Sequence, residues 1–189
     1  MTTNIAINGM GRIGRMVLRI ASKNDDLNVV AINASYPPET IAHLVKYDTT
    51  HGKYDGDVEP TENGIRIDGH DIKLVSDRNP ENLPWKDLDI DIVIEATGKF
   101  NHGDKADAHI KAGAKKVLLT GPSKGGHVQM VVKGVNDDSL DVEEFDIFSN
   151  ASCTTNCIGP VAKVLNDNFG IENGLMTTVH ALSIIHISE

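Results

Sequence analysis

The sequence has little cysteine, few aromatic side chains and no excess of positive charge. Two cysteines in 189 residues are too few for the disulfide framework that holds small secreted domains together. Lys and Arg number 18 against 27 Asp and Glu, which gives a formal net charge of −9. Such a chain repels phosphate backbones, so nucleic acid is not expected as the main partner. A local basic cluster is still compatible with binding one phosphate group.

Long hydrophobic runs are also missing. No stretch approaches the roughly 18 apolar residues that a transmembrane helix needs, and Met1–Asn4 lacks the charged-then-apolar pattern of a signal peptide. We therefore expect no membrane partner and a cytoplasmic location with reduced thiols. The hydrophobic share of 40% is enough for a folded core, and the length suits one domain or one domain with part of another.

Strand and helix patterns alternate along the first 150 residues. Short apolar runs typical of buried parallel strands alternate with stretches in which apolar residues recur at helical spacing. The predicted strands are residues 4–8, 27–33, 90–95, 116–119, 129–132 and 146–149. The predicted helices are residues 12–22, 37–47 and 104–112. A hairpin is predicted over residues 64–75, with its turn at Asp68-Gly69. This order predicts an α/β fold with a doubly wound parallel sheet, the Rossmann fold, over residues 1–150.

A second unit is predicted to begin near residue 151. Residues 152–169 have the apolar spacing of one long helix, and Gly170 is a suitable stop. Residues 176–181 are predicted to form a strand. We assign residues 151–189 to the N-terminal part of an incomplete catalytic domain.

Gly9, Gly11 and Gly14 form a GxGxxG pattern between the first strand and the first helix. In such a turn the first glycine permits the tight bend, the second lets a pyrophosphate approach the backbone, and the third lets the helix pack on the strand. The helix N-terminus adds free N–H groups and the positive end of the helix dipole. Because a strand and a helix flank the pattern, we predict a dinucleotide site; the alternative is a glycine-rich structural turn.

The acidic residue that completes this fingerprint is missing. A carboxylate about 20 residues further on binds the ribose 2′-hydroxyl of NAD. Here that point falls at Ala34, and the stretch from Leu27 to Pro38 has no Asp or Glu, whereas Ser35 and Tyr36 offer hydroxyls. We therefore predict NADP as cofactor, with NAD possible, although no Lys or Arg in that stretch would hold a 2′-phosphate. In the alternative, an acid from elsewhere in the chain binds the ribose.

Cys153 falls in the first turn of the predicted helix. The positive end of the helix dipole favours an anion, so a thiolate nucleophile is expected there. The hydroxyls of Ser152, Thr154 and Thr155 add hydrogen-bond donors. Cys157 lies one turn further along and is expected to pack in the core. Two thiols at this spacing supply only half of a tetrahedral site, so no metal is predicted.

A cysteine nucleophile needs a base nearby. The sequence has eight histidines, and His180 lies near the end of the strand predicted after the cysteine helix. From that position its imidazole is able to return to the N-terminus of the helix. We therefore take His180 as the candidate base.

Four segments together closely resemble phosphorylating glyceraldehyde-3-phosphate dehydrogenase. They are residues 8–15 (NGMGRIGR), 95–100 (EATGKF), 149–157 (SNASCTTNC) and 177–181 (TTVHA). The SNASCTTNC run is far more specific to that family than the glycine loop is. The resemblance extends over about residues 3 to 181.

The resemblance implies a role for each matching residue. Cys153 is similar to the family's nucleophile and His180 to the residue that activates its thiol. Ser152 and Thr154 would flank the aldehyde and phosphate groups, and Ser183 stands in place of a threonine. The implied cofactor residues are Gly9, Gly11, Arg12, Ile13, Gly14, Ala34, Arg78, Thr97, Gly98 and Thr120. Residues 33–37 are similar to those of bacterial members that work in the gluconeogenic direction with NADP.

The reaction that the resemblance implies is reversible. The Cys153 thiolate adds to the aldehyde of glyceraldehyde 3-phosphate to give a thiohemiacetal. His180 accepts the hydroxyl proton as hydride leaves to the nicotinamide. Inorganic phosphate then splits the thioester, which releases 1,3-bisphosphoglycerate and frees the thiolate. Full-length members of the family are homotetramers.

The match to the family fades after Ala181. Residues 182–189 (LSIIHISE) follow the family only loosely, and family chains are longer, so we expect a frameshift or premature stop. Weakened dinucleotide binding, little or no turnover and an exposed apolar patch on the cysteine helix would follow. The chain would then be an inactive dinucleotide-binding fragment. A cysteine acyltransferase or hydrolase without cofactor is a third hypothesis, and erythrose 4-phosphate is a lesser alternative substrate.

Overall fold

A computed structural model of the chain describes residues 2–180. The strands are β1 (Thr3–Asn8), β2 (Leu27–Asn33), β3 (Tyr47–Asp48), β4 (Gly52–Lys53), β5 (Val58–Thr61), β6 (Gly64–Ile67), β7 (His70–Val75), β8 (Ile92–Glu95), β9 (Lys116–Leu119), β10 (Gln129–Met130) and β11 (Ile147–Ser149). The α-helices are α1 (Arg12–Ala21), α2 (Pro38–Lys46), α3 (Gly103–Lys111) and α4 (Cys153–Phe169). Short 3₁₀ turns lie at Pro80–Asn82 and Asp137–Ser139.

Within this part of the chain, nine strands form one sheet in the order β10-β11-β9-β8-β1-β2-β7-β6-β5. All neighbours from β10 to β7 pair in parallel. The antiparallel strands β6 and β5 complete one edge, and the ribbon β3-β4 is separate. The predicted doubly wound sheet is therefore confirmed, although the sheet is mixed rather than wholly parallel. The predicted hairpin turn is present at Asp68 and Gly69, where φ is +47° and +86°.

Helices cover both faces of the sheet, which is why the middle residues of the central strands are apolar. On one face, Leu18 of α1 and Ile41 of α2 pack against Ile7 of β1. On the other, Ala6 of β1 lies in a cluster with Trp85 and Val93. Successive residues of β1 thus point to opposite faces.

The chain passes from β1 to β2 on one side, whereas β8 lies on the other side of β1. Such a reversal of direction leaves a crevice at the carboxyl ends of the two strands, where ligands bind in open α/β sheets. The glycine loop after β1 and the turn after β8 therefore meet at the same edge.

Helix α4 ends at the predicted Phe169 and begins one residue later than predicted, but it has little packing. The Ser152 hydroxyl accepts the N–H of Thr155 at 3.0 Å as its N-terminal cap, and Gly170 ends it with φ +72°. No residue of α4 is buried, and Phe169 is 83% exposed. The expectation of an exposed apolar patch on this helix is therefore confirmed. Of the helices described, none is long and apolar enough to cross a bilayer.

The strand predicted over residues 176–181 is wrong where the structure tests it. Residues 176–180 belong to no strand, and Val179 is 90% exposed. A strand needs a partner for its backbone N–H and C=O groups, and none of the described strands pairs with this segment. Ala181, Ser183 and the rest of 182–189 lie outside the described residues.

Candidate functional site

The three glycines of the loop differ in their surroundings. Gly9 has φ +98°, and a Cβ there would lie 2.8 Å from Cγ2 of Thr97. A Cβ on Gly14 would lie 1.9 Å from the carbonyl oxygen of Gly9, so α1 packs directly on the end of β1. At Gly11, by contrast, nothing lies within 4 Å of the Cβ position. The loop therefore bends at Gly9, packs at Gly14 and leaves open space at Gly11.

A cleft of about 400 Å³ opens beside this loop at the carboxyl ends of β1, β2 and β8. Five of the cofactor residues predicted from the sequence line it together: Gly9, Gly11, Ala34, Arg78 and Thr97. The other lining residues are Asn8, Met10, Arg15, Asn33, Ser35, Tyr36, Leu44, Asp77, Lys99 and Phe100. Segments far apart in sequence thus converge at the point where the sheet reverses direction.

The remaining predicted cofactor residues are placed elsewhere among the described residues. The guanidinium of Arg12 lies 3.2 Å from both Asp48 Oδ1 and Thr50 Oγ1, at the ribbon β3-β4. Ile13 and Thr120 line a separate apolar groove of about 570 Å³. Gly98, with φ +73°, is part of the turn after β8, and Gly14 is buried in the packing of α1.

The carboxylate that meets Arg12 has a strongly lowered pKa. The backbone N–H groups of His51 and Thr50 each donate to Asp48 Oδ1 at 2.9 Å. These hydrogen bonds, with a smaller contribution from Arg12, lower the pKa of Asp48 from 3.8 to about 2. Asp48 therefore fixes the turn between β3 and β4 as a carboxylate.

An acid and a base from one loop lie beside Ala34. The Asn33 side chain donates to the carbonyl oxygen of Asp77 at 2.8 Å and accepts its N–H at 3.0 Å. This pairing brings Asp77 and Arg78 into the cleft next to Ala34. The Asp77 carboxylate accepts hydrogen bonds from the backbone N–H of Asn79 and from Asn82. An acid from elsewhere in the chain, Asp77, therefore lines the cleft, and Arg78 brings a cation as well; which of them binds a ribose stays a prediction.

The charges at the cleft favour an anionic ligand. Arg15, Arg78 and Lys99 line it against one carboxylate, that of Asp77, although the chain carries a net charge of −9. The free N–H groups at the start of α1 add to the same potential, because no side chain caps that helix within the described residues. A local basic site in an acidic chain is suited to a ligand with phosphate groups.

Buried polar side chains end three adjacent strands beneath the cleft. Asn33 ends β2, Asn8 ends β1 and Glu95 ends β8, and all three are buried. Glu95 also contacts the buried His109 of α3. None of the three was predicted from the sequence as a site residue. A usable signal was present, since each is a polar residue that directly follows a buried isoleucine at the end of its strand.

The backbone before Cys153 is unusual. Ala151 has φ +57° and donates its N–H to Ser149 Oγ at 3.1 Å, while Ser149 in turn donates to the carbonyl oxygen of Gly121. The turn leads into α4 and leaves Cys153 exposed at its first residue. Cys157 is exposed too, so its expected core packing is wrong; a helix with no buried residue has no core side at this point.

His180 returns to the first turn of α4, although it does not end a strand. Its Nε2 lies 3.5 Å from Thr154 Oγ1 and 3.2 Å from Thr178 Oγ1. Within residues 2–180, these hydroxyls are its hydrogen-bond partners, and the Cys153 thiol is not. The candidate base thus lies at the helix turn that carries the candidate nucleophile, without a hydrogen bond between the two.

Comparison with known proteins relates the chain to one protein family. Residues 3–103 match the sequence model described as "Glyceraldehyde 3-phosphate dehydrogenase, NAD binding domain", and residues 152–184 match the model of the C-terminal domain of the same enzyme. The chain is 84% identical over 183 residues to glyceraldehyde-3-phosphate dehydrogenase 2 of Staphylococcus aureus strain MRSA252 and 80% identical to the protein of that name from Staphylococcus epidermidis. These alignments cover 97% of this chain but 54% of either relative.

Proposed function

Since the chain belongs to the glyceraldehyde 3-phosphate dehydrogenase family, we propose that it binds a nicotinamide dinucleotide in the cleft beside the glycine loop. The observation that carries this proposal is the convergence of Gly9, Gly11, Arg78 and Thr97 on one basic cleft at the switch point of the sheet. The chain spans about half the length of the relatives that it matches, so catalysis is a separate step of the proposal.

The described residues fit such a ligand. Open space at Gly11 leaves room for a pyrophosphate beside the uncapped N-terminus of α1. At the ribose end, Ala34 brings no charge, and the Arg78 guanidinium is available to pair with a 2′-phosphate. Asp77 is already engaged by Asn79 and Asn82. These contacts favour NADP over NAD.

For catalysis we propose that Cys153 and His180 carry the family's oxidation of glyceraldehyde 3-phosphate. The Cys153 sulfur, as thiolate at the first residue of α4, forms a bond to the aldehyde carbon. Nε2 of His180 first takes the thiol proton, gives it to the carbonyl oxygen to make the thiohemiacetal hydroxyl, and takes it back when the carbon is oxidised. A dinucleotide held in the cleft would supply the acceptor for the hydride that leaves this carbon. Inorganic phosphate then displaces the sulfur from the thioester, and the thiolate is restored.

A second function, dinucleotide binding without turnover, is favoured by a specific observation. His180 bonds to the hydroxyls of Thr154 and Thr178 rather than to the thiol, and α4 has no buried residue to fix Cys153 in place. Catalysis requires reacting groups to be held in near-attack geometry. A chain with this arrangement would bind the cofactor and react slowly or not at all.

One experiment separates the two functions. The purified chain and its Cys153→Ser variant are titrated with NADPH and NADH by the fluorescence of the reduced nicotinamide, then assayed with glyceraldehyde 3-phosphate, phosphate and NADP⁺. Binding by both proteins with turnover by the parent only supports catalysis at Cys153. Binding by both without turnover supports the second function. If neither reduced cofactor binds, both proposals fail.

A further inference from the structure

We propose that Glu95 and His109 are positioning residues of the cleft. They hold the glycine loop and the facing turn at Thr97 in place and do not touch the ligand. This inference rests on the proposed function, namely that the cleft takes a dinucleotide. Both side chains are fully buried, and His109 Nε2 lies 3.1 Å from Glu95 Oε2. A buried pair of this kind is costly to desolvate unless further hydrogen bonds satisfy it.

The direction of the hydrogen bonds is fixed on the side of α3. The indole Nε1 of Trp85 lies 3.0 Å from Nδ1 of His109. Because an indole nitrogen only donates, Nδ1 must accept and carries no proton. The ring proton of a neutral imidazole is then on Nε2, from which it is donated to Glu95 Oε2. Trp85 thus sets the tautomer of His109.

On the side of Asn33, a backbone N–H group fixes the direction of the hydrogen bonds. The N–H of Asp77 donates to Oδ1 of Asn33 at 3.0 Å, which fixes the orientation of that amide. Nδ2 of Asn33 donates to Oδ1 of Asn8 at 2.7 Å. Nδ2 of Asn8 then donates to Glu95 Oε2 at 2.5 Å. The side chains of Asn33, Asn8, Glu95 and His109 thus form one hydrogen-bonded row. In it, Asn8 and His109 donate to the Glu95 carboxylate from opposite sides.

The second oxygen of Glu95 holds the facing turn. Oε1 accepts the backbone N–H of Thr97 at 2.7 Å and also the Thr97 hydroxyl. Thr97 is the residue against which Gly9 packs, and Asn8 directly precedes Gly9. One carboxylate therefore ties together the two segments that form the glycine-loop end of the cleft. Every neighbour that contacts it at these distances is a donor, so an amide in its place cannot satisfy all of them.

The first test uses Glu95→Gln, which keeps the shape and places an NH₂ group among donors. We expect the Kd for NADPH to rise about tenfold. The matched control is Ile90→Ala, because Ile90 is equally buried beside Trp85 but outside the hydrogen-bonded row. It should lower the free energy of unfolding and leave the Kd of the folded protein unchanged. Equal Kd values for parent and Glu95→Gln, or equal losses in both variants, would overturn the proposal.

The second test uses His109, so the proposal stays falsifiable if Glu95→Gln does not fold. A glutamine is able to donate to Glu95 and accept from Trp85, whereas a leucine does neither. We expect His109→Gln to bind NADPH within about twofold of the parent and His109→Leu to bind about tenfold more weakly. Equal binding by the two variants would contradict a positioning role.

A readout without ligand separates this proposal from the proposed function. In nitrogen NMR, His109 should show the tautomer protonated at Nε2, and Glu95→Gln should shift the amide signals of Gly9 and Thr97 while Ile90→Ala leaves them in place. If these amide shifts appear but NADPH does not bind, the positioning role of Glu95 stands and the proposed cofactor binding fails. Unshifted amides in Glu95→Gln would refute the positioning whatever the chain binds.

Discussion

Gly14 lies so close to Gly9 that a Cβ on Gly14 would be 1.9 Å from the Gly9 carbonyl oxygen. This contact seats α1 on the end of β1 and so aims the N-terminus of the helix at the cleft. Gly11, three residues earlier, has nothing within 4 Å of its Cβ position. Gly14 therefore matters for the stability of the fold, whereas Gly11 matters for the access of a ligand to the loop.

The first prediction compares alanine at these two positions. Gly14→Ala should lower the free energy of unfolding by about 2 kcal/mol or more, because the clash is with backbone. Gly11→Ala should change it by less than about 1 kcal/mol but weaken NADPH binding, since the methyl group occupies the space proposed for the pyrophosphate. Urea unfolding and fluorescence titration measure the two effects. A Gly11→Ala protein that binds as the parent does would contradict this placement.

The second prediction concerns cofactor choice. Arg78→Ala should raise the Kd for NADPH about tenfold, the equivalent of about 1.4 kcal/mol, because it removes the proposed partner of the 2′-phosphate. The Kd for NADH should stay within about twofold. Lys133→Ala is the charge-matched control, since Lys133 lines the separate apolar groove. Equal losses for both cofactors would place Arg78 away from the 2′-position.

The third prediction concerns the two thiols. Both cysteines are exposed, so access alone does not distinguish them, but Cys153 is at the first residue of α4 and Cys157 is one turn inside. The helix dipole should therefore make Cys153 react with iodoacetamide about tenfold faster at neutral pH. Single-thiol proteins made by Cys157→Ser and Cys153→Ser provide the two rates. Equal rates would remove the basis for a nucleophile.

The fourth prediction is a pH dependence of stability. The fold lowers the pKa of Asp48 to about 2 from 3.8, so its carboxylate stabilises the folded state above about pH 4 and loses that effect as the pH falls towards 2. Asp48→Asn should therefore be less stable than the parent near neutral pH, and the gap should close in acid. Arg12→Gln should remove only part of the pH dependence, because the main causes are backbone N–H groups. Urea unfolding at a series of pH values tests both, and a gap that widens in acid would contradict it.

The fifth prediction concerns the apolar face of α4. Phe169→Ser should change the free energy of unfolding by less than about 0.5 kcal/mol, since Phe169 is largely exposed. It should also reduce self-association, because exposed apolar patches promote it. Leu119→Ala, in the buried core, should instead cost about 2–5 kcal/mol. Light scattering and urea unfolding measure these effects; unchanged scattering in Phe169→Ser would show that this face does not drive association.

Local patterns predicted most of the fold. Strand β2 and strand β9 have the predicted limits, because apolar runs bounded by turns and helical periods are features of short segments. The strand predicted at 176–181 was wrong over the described residues 176–180, because a local pattern does not reveal whether a partner strand lies beside the segment. Likewise, the apolar spacing of α4 gave its helix but not its exposure, which depends on what packs against it.

From residue spacing alone, the site was predictable only where it is local, whereas Arg78 and Thr97 were predicted from the family resemblance. The glycine loop and the cysteine turn are contiguous motifs, and both were found from spacing. Asp77 was not, since it reaches the cleft through hydrogen bonds to Asn33, 44 positions away in sequence. The Glu95–His109 pair depends in the same way on the crossing of α3 behind β8, so no spacing rule in a single sequence reveals it.

Calorimetric titration of NADP⁺ into the purified chain and into its Gly11→Ala variant tests the central claim most directly. The cleft beside the glycine loop should give the parent one saturable site with a Kd below about 1 mM, the equivalent of about −4 kcal/mol, and the variant a weaker or undetectable one. No saturable heat with NADP⁺ or NAD⁺ at millimolar concentrations, or identical titrations for parent and variant, would contradict the account.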